Sequence, residues 1–151
     1  MENYNSEPML IKGGFAVDER GKVSFCNDFN FKDVKRFYVL ENLSTSIIRA
    51  FHGHLIEAKY IFVISGSAIV CIGKFNPSEK TGEKENVHRF VLSSKEPSVL
   101  YVPGGFANGS RFLEDNTKII VFSTSSLQDS KNDDYQLPYD YWGKDIWEYK
   151  K

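Results

Sequence analysis

Residues 59–75 read KYIFVISGSAIVCIGKF, two runs dense in isoleucine, valine and aromatic residues, divided by Gly66-Ser67. Each run has the length and β-branched composition of a strand, and Gly66-Ser67 predicts a tight hairpin turn between them. Working outward, six more runs have the same character: 22–26 (KVSFC), 36–41 (RFYVLE), 46–52 (SIIRAFH), 87–93 (VHRFVLS), 98–102 (SVLYV) and 118–124 (KIIVFST). Short strands at this spacing predict an all-β sandwich or barrel. Residues 76–86 (NPSEKTGEKEN) are polar and carry Pro and Gly, which predicts an exposed hairpin loop with no chemistry of its own. The last strand should end near Ser126. Residues 137–149 are aromatic again, too apolar for a free end, and are expected to pack back on the body as a short helix.

The 151 residues are enough to bury a sizeable core in one domain, 1–151. Nineteen basic and 20 acidic side chains leave a net charge of −1, which offers no electrostatic case for nucleic acid or an anionic membrane surface. Cys26 and Cys71, two cysteines far apart, make neither a disulfide framework nor a zinc knuckle. No apolar run approaches a membrane span, and residues 1–5 (MENYN) lack a basic region followed by an apolar one. The expectation is a soluble, cytoplasmic protein. Its 15% aromatic content stands out and leans towards strands.

Chemistry concentrates at His52-Gly53-His54. Period-2 alternation predicts both imidazoles on one strand face, with Ile48 and Ala50, looking into a barrel interior or cleft. His88 follows the polar loop beside Arg89 and reads as surface. Eleven residues separate His54 from Gly66, and Pro103-Gly104-Gly105-Phe106-Ala107-Asn108 follows later. These segments resemble the two signatures of the cupin superfamily, H-x-H…E…G and P-x-G-x-x-H. Lys59 stands at the glutamate position and Asn108 at the last histidine; Glu57 lies two residues too early for that register. A lysine ammonium repels a divalent ion and an amide is a poor ligand for zinc or iron, so the resemblance is to a cupin site without metal. An imidazole base beside a cation suits proton abstraction next to a carbonyl, and would equally suit holding an anion.

A narrower resemblance covers nearly the whole chain. Phe15-Ala16-Val17-Asp18-Glu19-Arg20-Gly21, Arg49-Ala50-Phe51-His52, Ala58-Lys59-Tyr60 and Val102 to Gly109 resemble, in order, motifs of the dTDP-4-dehydrorhamnose 3,5-epimerase family. His52-Gly53-His54 and Lys35-Arg36-Phe37-Tyr38 resemble instead the related dTDP-sugar 3,4-ketoisomerases. The resemblance implies a cupin-type jelly roll (a double-stranded β-helix), no metal or other cofactor, a nucleotide-sugar substrate and a homodimer. It implies His52 as base, Asp140 in Leu137-Pro138-Tyr139-Asp140 as the carboxylate orienting it, and His54 as a second acid or base. Substrate-binding roles fall to Phe15, Arg20, Arg49, Lys59 and Asn108. The epimerases' acid tyrosine corresponds to Val121 here, leaving Tyr38 as the candidate acid. Strict alternation would set Arg49 on the face opposite His52 unless a bulge re-aims one of them.

The implied activity is isomerisation of a nucleotide-linked, dTDP-type 4-keto-6-deoxy sugar in deoxysugar or polysaccharide synthesis. An epimerase like the dTDP-4-dehydrorhamnose 3,5-epimerases is the main reading, a 3,4-ketone shift is its alternative, and a cupin that binds such a ligand without turnover is the alternative of another class. Lys59 and Asn108 weigh against a metal-dependent cupin.

Overall fold

The computed structural model describes residues 7–149; residues 1–5, read above for a leader pattern, lie outside them. The described residues fold through twelve strands: β1 (Met9–Lys12), β2 (Gly14–Asp18), β3 (Gly21–Phe25), β4 (Arg36–Leu40), β5 (Ile48–Gly53), β6 (Lys59–Ser65), β7 (Ser67–Lys74), β8 (Val87–Ser93), β9 (Ser98–Val102), β10 (Phe106–Phe112), β11 (Lys118–Ser123) and β12 (Tyr135–Gln136). One short helix, α1 (Leu127–Lys131), precedes β12. The strands form two five-stranded antiparallel sheets, ordered β1-β9-β6-β11-β4 and β12-β5-β10-β7-β8, with β2-β3 as a separate ribbon. This is an all-β jelly roll of cupin type. Among the described residues no helix is long and apolar enough to cross a membrane.

All eight runs form strands. The runs 59–65 and 67–75 are continuously apolar because both faces of their strands are covered. Between the sheets, Ile61, Val63, Leu100, Val102, Ile119 and Val121 meet Ala68, Val70, Ile72, Leu92, Phe106 and Phe112. The outer face of β7, with Ile69 and Cys71, is sealed by Tyr141, Trp142, Ile146 and Trp147 from the aromatic C-terminal segment. Phe51 and Trp142 meet there edge to face, ring centroids 4.8 Å apart. That segment includes a single 3-10 turn, Asp145–Trp147.

The hairpin expected at Gly66-Ser67 is not formed. β6 and β7 belong to different sheets, and Gly66 is the corner at which the chain passes from one to the other. Its φ is +80°, and a Cβ there would lie 2.1 Å from Thr117 Oγ1. Strand β10 does not read as an apolar run because Asn108, Gly109, Ser110 and Arg111 interrupt its apolar residues, yet it is the central strand of its sheet. A Cβ at Gly109 would sit 2.5 Å from that of Ala50 and 2.8 Å from the Arg49 carbonyl, so glycine lets β5 and β10 approach.

Gly66→Ala should destabilise the protein by about 2–4 kcal/mol, combining a disfavoured left-handed backbone with a clash against Thr117. Chemical denaturation of the variant beside wild type measures this, and a change within about 0.5 kcal/mol would show that the corner relaxes.

Candidate active site

A cavity of about 330 Å³ opens between the two sheets, lined by Arg36, Tyr38 and Leu40 of β4, Lys59 of β6, Arg49 and His52 of β5, His54, and Asn108 to Ser110 of β10. Ser130, Lys131 and Asp134 complete its wall.

Strict alternation does not hold in β5. Ile48, Ala50 and Phe51 all pack with the tail-covered cluster, whereas Arg49, His52 and His54 line the cavity. The pairing explains this: His52 lies opposite Asn108 and Arg49 opposite Ser110, so β5 spends three steps where β10 spends two. That bulge carries one extra residue in β5 and brings Arg49 to the side of His52. The Ala50–Phe51 peptide within it is cis. The expected sharing of a face by His52 with Ile48 and Ala50 is therefore corrected.

His52 is about half exposed at the cavity mouth, and its Nδ1 lies 3.4 Å from Asp134 Oδ1. Asp134 thus takes the place expected of Asp140. Asp140 is exposed on a turn where its carbonyl accepts from the Gly143 N–H, and the tail beyond it is committed to covering the outer face of the sheet. Asp134 arrives instead on β12's approach to β5, where Gln136 pairs with His52 and Tyr135 with Gly53.

Behind the cavity lies a buried polar cluster centred on Glu57, the residue that the cupin register passed over. Glu57 Oε1 accepts from Ser123 Oγ at 2.7 Å and Arg36 Nη2 at 3.3 Å. Its Oε2 lies 3.1 Å from His54 Nε2 and 3.6 Å from Lys59 Nζ. Burial works to raise the Glu57 pKa, but the Ser123 hydrogen bond, the Lys59 and His54 charges and a hydrogen bond from Ser130 together hold it below the usual carboxylate range. Burial and the Lys59 charge push His54 down, against the Glu57 and Asp133 carboxylates and the Asp133 carbonyl. Lys59 keeps the parity of Ile61 and Val63 and so points inward. Tyr38 is flanked by both cations, its ring centroid 5.4 Å from the Arg36 guanidinium carbon and 5.9 Å from Lys59 Nζ.

Asp133 sets this cluster in place. Its carboxylate accepts from the N–H groups of Leu55, Ile56 and Glu57 at 2.8, 2.9 and 3.0 Å, and its carbonyl accepts from His54 Nδ1 at 2.5 Å. Burial acts to raise the Asp133 pKa, but the three N–H donors and His54 outweigh it and lower it. Asp133 follows α1, whose N-terminus is capped by the Ser126 side chain accepting from Asp129 N.

The remaining expected residues separate. Asn108 lines the cavity opposite His52. Arg49 sits on the rim, its guanidinium donating to Asn42 Oδ1 and the Glu41 carbonyl. Val121 is core, paired between Tyr38 and Ile61, so Tyr38 stands one strand over from the position of the epimerases' acid. Phe15 and Arg20 lie on the β2-β3 ribbon away from the cavity; Phe15 is exposed and Arg20 pairs with Asp18 at 2.6 Å. Tyr38 is the tyrosine of the cavity wall. No three or more metal-ligating side chains converge among the described residues. In the sequence Arg36 enters only within the Lys35-to-Tyr38 motif and Glu57 only as out of the cupin register, while Asp133 and Asp134 enter no motif. The Asp133-Asp134 doublet ahead of the aromatic tail was the signal available for the last two.

The family model of dTDP-4-dehydrorhamnose 3,5-epimerase matches residues 6–140. The chain belongs to this family. A curated relative, the spore coat polysaccharide biosynthesis protein SpsL of Bacillus subtilis (strain 168), is 30% identical over 95 residues, 62% of each chain, so less than two thirds of its length is matched. Among solved structures, the dTDP-4-dehydrorhamnose 3,5-epimerase from Sulfolobus tokodaii superposes with a TM-score of 0.73 at 24% identity, covering 93% of this chain and 82% of that one. The sugar 3,4-ketoisomerase QdtA from Thermoanaerobacterium thermosaccharolyticum, in complex with TDP, gives 0.65 at 17%, covering 89% and 90%. An epimerase and a 3,4-ketoisomerase thus share this jelly roll.

Asp133→Ala should cost about 2–4 kcal/mol, since it strands three N–H donors of the 55–57 loop. The lowered folded-state pKa of Asp133 means that its contribution is present above about pH 4, the unfolded carboxylate value, and is lost as pH falls through the folded value. Denaturation midpoints measured at neutral and acidic pH should therefore converge between variant and wild type on the acid side.

Proposed function

We propose that the protein isomerises a nucleotide-linked 4-keto-6-deoxy sugar by removing the proton next to the ketone, as a step in making a deoxysugar for a polysaccharide. The observation that carries this reading is His52 braced by Asp134 at the mouth of a cationic cavity between the sheets. With Nδ1 directed to Asp134, His52 keeps Nε2 as the lone-pair nitrogen, the arrangement of a general base. Removing the proton at carbon 3 leaves an enolate whose oxygen gains charge. Lys59 and Arg36, half-buried or buried in the wall, are placed to stabilise it where water is scarce. Tyr38 between them supplies a hydroxyl to return a proton. The cavity volume suits the sugar, and Arg49 and Lys131 at its edge suit the negative diphosphate. Asn108 offers an amide to a sugar hydroxyl.

A ketone shift begins with the same enolate and differs in where the proton returns. The presence of Tyr38 in the cavity and of Val121 at the other tyrosine position favours one proton exchange at carbon 3 over two. The family relationship supports a dTDP-type substrate, and QdtA was solved with TDP.

A homodimer is part of the proposal. The β2-β3 ribbon pairs with neither sheet and leaves Phe15, Val17 and Val23 largely exposed. Substrate contacts from Phe15 or Arg20 would then come from the ribbon of a second copy.

Incubation with dTDP-4-keto-6-deoxyglucose in heavy water, followed by NMR, should show deuterium at carbon 3. Deuterium at carbon 5 as well indicates double epimerisation, and a relocated ketone indicates the 3,4-isomerase. His52→Gln should lose about 10²–10⁴ of the exchange rate, and Tyr38→Phe about 10². Tight binding of the nucleotide sugar with no exchange by wild type would establish a binding protein and refute the enzyme.

A further inference from the structure

Strand β10 reads FANGSRF over Phe106–Phe112 and pairs with β7 residue for residue, without a slip. Alternation therefore holds along it. Phe106 and Phe112 lie in the inter-sheet core, while Ala107 packs with the tail-covered cluster and Gly109 abuts Ala50. Asn108 and Ser110 share the face of the two phenylalanines, and both line the cavity. Ser110 is 6% exposed, and its neighbour on β7, Val70, is core. Among the described residues the Ser110 hydroxyl has no hydrogen-bond partner, and neither has the Asn108 amide. Leu40, which lines the same cavity from β4, has no polar group to offer. Burying a hydroxyl at a core position costs free energy unless something pairs with it, and an aliphatic side chain there would simply extend the core. The Ser110 hydroxyl is placed for a ligand group.

The order of groups along the cavity decides which ligand atom it meets. Glu57 sets the two walls level: it lies against His54 after β5 and against both Arg36 and Lys59, which flank Ser123 from the two neighbours of β11. From that end, His52 and its partner Asn108 come next, then Arg49 and its partner Ser110. Arg49 donates to the Glu41 carbonyl just beyond the end of β4, so it and Ser110 stand at the end of the cavity away from Arg36 and Lys59. On the proposed isomerase reading, the ketone oxygen at carbon 4 meets Lys59 and Arg36, carbon 3 meets His52, and the diphosphate on carbon 1 meets Arg49. Carbon 2 then lies along β10 between His52 and Arg49, where two residues of strand span about 6.6 Å, the scale of one sugar ring. We propose that Ser110 determines specificity in this reaction by hydrogen bonding the hydroxyl on carbon 2 of the sugar, with the Asn108 amide at the hydroxyl on carbon 3. A serine hydroxyl both donates and accepts, as a sugar hydroxyl does, and a 2-deoxy sugar leaves it buried and unpaired. The assignment rests on the nucleotide-sugar reading of the cavity and not on turnover.

The test is calorimetric binding of two ligands that lack the ketone, dTDP-6-deoxyglucose and its 2-deoxy analogue, to the full-length protein, as wild type and as Ser110→Ala. Wild type should bind the 2-hydroxy ligand about tenfold more tightly, the effect of one neutral hydrogen bond. Ser110→Ala should bring the two affinities within about twofold of each other, by weakening the first and leaving the second unchanged. Retained binding of the 2-deoxy ligand reports a folded variant, and the denaturation midpoint should not fall, since the hydroxyl has no protein partner to lose. In the exchange assay, kcat/KM for dTDP-4-keto-6-deoxyglucose should drop about tenfold in the variant. A wild type that does not distinguish the two ligands, or a variant in which both weaken equally, overturns the assignment even where exchange is intact. Discrimination that Ser110→Ala abolishes, in a wild type that shows no exchange, upholds the assignment and refutes the isomerase. Binding of neither ligand by wild type overturns both.

Discussion

One carboxylate makes the site possible. Arg36, Lys59 and His54 all converge at the end of an apolar sandwich, where an isolated charge would cost several kcal/mol to bury. Glu57 lies beneath all three, and its own charge is held by them and by Ser123. The cations can then face the cavity without being driven to the surface or neutralised. Because the cluster is closed by backbone groups as well, through Asp133, its geometry is set before any ligand arrives, which is what electrostatic stabilisation of a developing anion requires.

The fold serves that arrangement by covering both faces of its central strands. The C-terminal aromatics shield one outer face and the segment around Phe29 and Tyr60 packs against the other. The inter-sheet core is left to fill with aliphatic residues up to the point where β4, β5, β6 and β10 turn polar. The family's jelly roll is thus a rigid frame, and the chemistry lies in the few side chains that break its apolar pattern. A protein with net charge −1 can in this way present a locally positive cavity.

Much of this was readable along the chain. The eight apolar runs became strands because their composition suits a pleated surface buried on both sides. His52, His54, Lys59, Tyr38, Asn108 and Arg49 do gather in one cavity, since they lie on strands or strand ends whose approximate direction local alternation already constrains. Where the reading failed, a non-local cause was at work. Alternation in β5 was broken by a bulge that exists only relative to β10. Gly66 had the chemistry of a turn, but whether a turn folds a hairpin or passes between sheets depends on which strands find each other. β10 itself was hidden by the polar residues that the site needs.

The carboxylates show the division most sharply. Local sequence determined that a strand ending in His52-Gly53-His54 would exist and that imidazoles and a lysine would lie near it, because side-chain period and strand propensity act over a few residues. It could not determine which acid meets His52. Asp140 and Asp134 are six positions apart on the same polar approach to the tail, and neither is near the histidine in sequence; the contact with Asp134 spans 82 residues. That choice was made when α1 and β12 docked on β5 and the aromatic tail beyond them was drawn onto the outer face, carrying Asp140 away. The role of Glu57 was decided in the same way, by Arg36, His54 and Lys59 from three different segments, since burial and long-range pairing exist only once the sheets have closed.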